Sequence, residues 1–346
     1  MLLASAPAAV LTAFAGHAVV SQITSPADPG PVGPGRAGGP AGREDGRDAT
    51  VDLERHITGF VSRFGGNGGY HPPDRAERRT VADGLRLLLD GRREDAARRL
   101  AAAGYGVRTL TDRATGRRYA EIADLAEPAD GSPAGEDSAG GSPAGRGWGR
   151  VYVDLGGGDR AGAEPGGGGP GGDGTARWSV QVPHPAADRG TERLGAAVLR
   201  GTPGGVLVVA GAHREAGRGD AADVAHRRDT VFHAVCAELA SRGVPGVQLH
   251  GFADDSVPGY DAVVSTGRGD DGREEARTLA RGLRRNGLEV CRAWARRCEL
   301  AGRGNEQGKR FAAEGVPFLH VELAHAVRSD GERARRAVGA LTEITG

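Results

Sequence analysis

Residues 178–213 read WSVQVPHPAADRGTERLGAAVLRGTPGGVLVVAGAH, and their pattern decides the fold. Residues 178–182 are a short apolar run that stops at Pro183-His184, as a strand does on leaving a sheet. Residues 191–199 space their apolar side chains at a helical period. Residues 206–210 are apolar without alternation and stop at Gly211-Ala212-His213. A strand that feeds a helix and then a strand with no polar face is the unit of a parallel sheet covered on both sides.

The alternation continues. Helices are expected over 223–242, 273–285, 306–314 and 331–344, and strands over 246–249, 262–265, 288–291 and 316–323. The expected class is α/β, a largely parallel mixed sheet sandwiched by helices, over residues 176–346. Upstream, 80–104 holds two helices parted at Asp90-Gly91, and 105–111 with 118–123 reads as a hairpin. These form a small helical and hairpin extension over 50–125.

Composition narrows the function. Lys and Arg total 45 against 45 Asp and Glu in 346 residues, a net charge of zero. That balance supplies no electrostatic case for a nucleic-acid partner. The 60 glycines follow no G-X-Y period and gather in tracts, which excludes collagen. Residues 25–49 read as a disordered linker, and 126–175 as low-complexity loops around a short strand. The glycines of 156–174 precede no helix pattern, so they make a poor phosphate cradle. Residues 1–24 carry no charge, with Gly16 and Ala18 spaced as a cleavage site, and read as a signal peptide. A membrane anchor is the alternative, and either places the protein outside the cell or at its surface. Three cysteines are too few for a disulfide scaffold. Pairing of Cys291 with Cys298 stays open, and Cys236 reads as core.

The polar residues that break this pattern fall where strands end, the edge at which such sheets gather function. His184, Asp188 and Glu192 are spaced by four. An imidazole and a carboxylate from one tight turn suit zinc, whereas a capping Asp beside a solvated Glu is the alternative. A catalytic metal needs a third ligand, and His250, at a strand end before Gly251, is the best candidate. His320 and Glu322 share one face of an apolar strand. A buried carboxylate there is costly unless it pairs or works, which nominates Glu322 as general base. Arg214 follows a strand end and suits a carboxylate clamp. Asp223, His226 and His233 fall on the expected helix 223–242, where surface or core roles are the commoner ones.

Together, His184-x3-Asp188, the strand end His250-Gly251, and Phe318-Leu-His-Val-Glu-Leu323 followed by Arg328 resemble the zinc-dependent poly-gamma-glutamate hydrolase group. That group has the metallocarboxypeptidase-like fold shared with N-formylglutamate amidohydrolases. The resemblance covers about 176–330. It implies zinc held by His184, Asp188 and His250, Glu322 as general acid/base, and Arg328 and Asn305 at the substrate. The family's first carboxylate is usually Glu, so Glu192 stands as a rival ligand. The implied activity is zinc-dependent hydrolysis of an amide bond in a small acidic peptide or amino-acid derivative. The alternative is a metal-free binding module of the same fold. A serine esterase is excluded, since no G-x-S-x-G occurs.

Overall fold

The central strands are buried on both faces because helices cover both. The computed structural model describes residues 48–64, 69–127, 145–157 and 176–346, which fall within one compact unit. Residues 1–47, read above as a signal peptide and a linker, and most of the two Gly-rich tracts lie outside the described residues. The first part of the chain gives β1 (Ala49–Val51), α1 (Leu53–Val61), α2 (Arg75–Leu89), α3 (Arg93–Ala101), β2 (Tyr105–Asp112), β3 (Arg117–Asp124) and β4 (Arg150–Gly157). The second gives β5 (Trp178–Val182), α4 (Thr191–Gly201), β6 (Gly205–Val209), α5 (Val231–Ser241), β7 (Gly246–Phe252) and β8 (Ala262–Ser265). It closes with α6 (Arg273–Arg285), β9 (Val290–Arg292), α7 (Glu306–Glu314), β10 (Phe318–Ala324), α8 (His325–Ser329) and α9 (Gly331–Thr345).

All the described strands join one ten-stranded sheet in the order β1-β2-β3-β4-β6-β5-β7-β10-β8-β9. The inner four, β6-β5-β7-β10, are parallel, with antiparallel β4 and β8 on either side of them. The α/β class and the mixed sheet are as the sequence indicates. One apolar layer joins α1, α4, α6 and α9 to the sheet, and the other joins α2, α3, α5 and α7 to its opposite face. The 50–125 segment is continuous with this sheet: β2, β3 and β4 extend it through β6. Ala49, assigned to the linker by composition, opens β1 and pairs with Leu110.

Two boundaries move in ways that matter for the site. The helix expected over 223–242 begins only at Val231, because the Thr230 hydroxyl caps it by accepting the His233 N–H. Residues 223–230 are therefore loop. The strand expected over 246–249 runs on to Phe252, so His250 and Gly251 lie inside β7. Cys291 and Cys298 form a disulfide, and Cys236 is free and buried.

Candidate metal centre

Pro183 takes the chain out of the sheet where β5 ends, and His184 follows. A tight turn comes next: the Asp188 N–H donates to the His184 carbonyl at 2.7 Å, folding the Asp188 carboxylate back beside the His184 ring. Gly190, with φ of 92°, makes the left-handed entry into α4 that a side chain would resist. From the neighbouring strands, Gln248 and His250 of β7 share a face with His320 and Glu322 of β10. The parallel register sets His320 beside Gln248 and Glu322 beside His250.

This brings His184, Asp188 and His250 together, all buried, with one donor atom of each within 4.8 Å of the others. Asp188 Oδ2 lies 3.1 Å from His250 Nδ1 and 3.7 Å from His184 Nδ1. His184 Nε2 is 2.8 Å from Asp223 Oδ1. A carboxylate only accepts, so Nε2 donates to Asp223, and in the neutral form of the ring Nδ1 is left bare. That Nδ1 is buried and has no hydrogen-bond partner. A buried polar atom left orphaned is costly, and here it faces a carboxylate and a second imidazole. The donor set and the orphaned nitrogen fit a zinc-type cation.

Electrostatics follow from crowding. Burial works against the Asp188 carboxylate, but the imidazoles of His184 and His250 beside it outweigh burial and hold its pKa well below the usual range. Asp223 is half-buried, and contacts to His184, His226 and Arg214 outweigh that burial and hold it low. Burial disfavours the His184 cation, yet Asp188 and Asp223 overcome it and raise the pKa. For His250 burial prevails and lowers it.

The other expected residues are placed as follows. Glu192 stands apart from the group: its Oε2 accepts the Gly190 N–H at 2.9 Å, and burial raises its pKa. Glu322 is 7% exposed, with Oε1 3.3 Å from His320 Nε2. The Asn305 amide nitrogen contacts Gln248 Oε1 at 2.6 Å, His250 Nε2 at 3.2 Å and His320 Nδ1 at 3.4 Å, behind the metal group. Arg328 lies across Gly251, where a Cβ would overlap its guanidinium. It donates to the carbonyls of Leu323, Arg189 and Phe252. Arg214 donates to Asp223 Oδ2 at 2.7 Å and is 38% exposed.

Sequence reasoning missed Asp223 as a site residue because it assigned 223–230 to a helix. It also passed over Gln248, although a Gln two residues before His250 in an apolar strand shares the face of that histidine.

Fold and site define an α/β protein with a buried His–Asp–His group suited to a cation. No family model matches the chain, and no curated protein matches it. Among solved structures it is similar to N-formylglutamate amidohydrolase from Ralstonia eutropha, at 17% identity over 49% of this chain and 92% of that one, TM-score 0.35. It is similar to zinc-free YNDL at 14% identity, over 49% of this chain and 83% of that one, TM-score 0.35. An Agrobacterium tumefaciens gene product gives 15% identity, 50% and 88% coverage, and TM-score 0.34. At such identities the chemistry of this chain has to be read from its own side chains.

Proposed function

We propose that the protein is a zinc-dependent hydrolase of an amide bond in a small acidic peptide or an N-acyl amino acid. The observation that carries this reading is the buried His184–Asp188–His250 group, with the bare, unpartnered Nδ1 of His184 turned into it. His184, Asp188 and His250 would hold the ion, with Asp223 fixing the His184 ring from behind. Bound there, zinc supplies Lewis acidity and lowers the pKa of water. Glu322, beside His250 in the sheet register, accepts the proton of the attacking water and delivers it to the leaving nitrogen as the C–N bond breaks. Arg214, partly exposed next to Asp223, orients the substrate carboxylate. Arg328 keeps the Arg189–Gly190 turn against β7 and β10 through its three carbonyl bonds. That the bond is an amide rests on the motif resemblance described above.

Export accords with the charge-free leader and with the Cys291–Cys298 disulfide, a bond favoured in oxidising compartments. Among the described residues no helix is long and apolar enough to cross a membrane.

The test is a panel of N-acyl amino acids, γ-glutamyl peptides and cell-wall peptides, assayed for released amine with and without chelator. Chelator-sensitive turnover that returns with zinc is the expected result. Tight binding of these compounds without turnover, in zinc-loaded protein, would favour the binding module.

A further inference from the structure

Beside the turn that carries His184 and Asp188 opens a cleft of about 860 Å³, a size common among small-molecule sites. Pro185, Ala186 and Arg189 of that turn form one wall. The opposite wall is Thr58, Val61 and Ser62 of α1, and α1 belongs to the 50–125 segment, outside the stretch of resemblance.

The helix α1 is held firmly in that position. Thr58, Val61 and Ser62 follow at i, i+3 and i+4 and so share one helix face, while Leu53, Ile57 and Phe60 bury the neighbouring face in the core. Its first turn is pinned to α4. The buried Asp112 carboxylate accepts the Leu53 N–H at 3.1 Å and, at 2.9 and 3.0 Å, two N–H groups of Arg200 from the last turn of α4. Asp52, which caps α1, lies 3.3 Å from the same guanidinium. A helix fixed in this way gives the cleft a preformed wall, so little ordering has to accompany binding.

The cleft is cationic where it meets the turn. Arg189, Arg193 and Arg328 all line it, and among the described residues none of the three forms an ion pair with a carboxylate. Arg189 is exposed. Two carboxylates also line the cleft, but both are engaged: Glu54 lies 3.7 Å from Arg200, and Glu192 accepts the Gly190 N–H at 2.9 Å. Arg328 connects the cleft with the proposed chemistry. Its guanidinium lies across Gly251, next to His250, and the carboxylates of Asp188 and Glu322 both act on its charge.

We infer that this cleft binds an anionic peptide chain longer than a single amino acid, with Arg189 meeting a carboxylate of that chain and α1 as the wall that selects for it. That the bound peptide is a substrate rests on the hydrolase reading above; that the cleft binds it does not.

The experiment is calorimetric titration of the full chain with a tetraglutamate peptide and with N-acetylglutamate, chelator being present so that turnover does not obscure binding. Wild type is compared with Arg189→Gln, Thr58→Trp and Ser62→Trp. Arg281→Gln, an equal charge change at an exposed position of α6, is the control, and circular dichroism checks that each variant is folded. Wild type and the control should bind tetraglutamate more tightly than N-acetylglutamate. Arg189→Gln should weaken the tetrapeptide by roughly 10-fold or more, the worth of a hydrogen bond to a charged group. The two Trp variants, which fill the cleft from α1, should weaken it as well. No tetraglutamate binding in wild type, or binding unchanged in Arg189→Gln and in the folded Trp variants, would overturn the inference. Binding that these variants weaken, in a protein that neither takes up zinc nor releases amine from any peptide, would uphold the cleft and overturn the hydrolase reading alone. Zinc-dependent turnover of glutamyl peptides that is equal in wild type and variants would do the reverse.

Discussion

Asp188 and Glu192 sit one helical turn apart, yet their surroundings push them in opposite directions. Two imidazoles outweigh burial and keep Asp188 ionised, whereas burial raises the pKa of Glu192, which serves a backbone N–H. Asp188→Asn should therefore strip the metal, and Glu192→Gln should leave it, as metal analysis of the two proteins will show. The reverse pattern would exchange their roles. Glu322 calls for a different measurement. Glu322→Gln keeps the shape of the side chain but cannot take a proton. We expect unchanged zinc and a fall in kcat of about 10²–10⁴-fold. A lower melting temperature with near-normal turnover would instead make the carboxylate a structural partner of His320.

At the scale of elements, β7 and α5 each carry one residue whose role shows only in the fold. Gly251 lies inside β7 beneath the Arg328 guanidinium. Gly251→Ala should displace that side chain from its three carbonyls and cost about 1–3 kcal/mol, typical of overpacking, read as a lower denaturation midpoint. A midpoint equal to wild type would show that Arg328 moves aside freely. His233, in the first turn of α5, is buried enough that its pKa is pushed down to about 4. The unfolded chain then binds a proton that the folded one refuses below about pH 6.5. Stability from this residue is intact above that pH and declines as pH falls toward 4. The melting temperature of wild type should fall relative to His233→Gln across that window, and parallel curves would contradict it. Much of this architecture was legible in the sequence, because apolar runs of β5, β6 and β8 and the periodicity of α6 and α7 are local signals. The meeting of His184, Asp188 and His250 was legible because each histidine breaks off or follows an apolar run and Asp188 lies one turn from His184. Asp223 was not, since only the Thr230 cap reveals that the helix starts at Val231. Nor was the meeting of Gln181, Gln248 and Gln307, which come from three separate elements and touch only when these pack together.

At the scale of the whole molecule, the sheet ends in β1 and β9, strands of three residues each, too short to template pairing with another chain. Among the described residues, the apolar layers on its two faces begin at Ala49. A chain beginning at Asp48 should therefore keep the melting temperature and metal content of the full one, and an unfolded product would show that the residues before it pack on the domain. The parallel centre of the sheet matters most for function: β5 delivers His184 and Asp188 to the edge where β7 delivers His250. That convergence is tested most directly by zinc stoichiometry, measured on purified wild-type protein and on His184→Ala and His250→Ala. We expect about one zinc per chain in the wild type and loss of most of it in each variant; no zinc in the wild type, or full retention in both variants, would contradict the site.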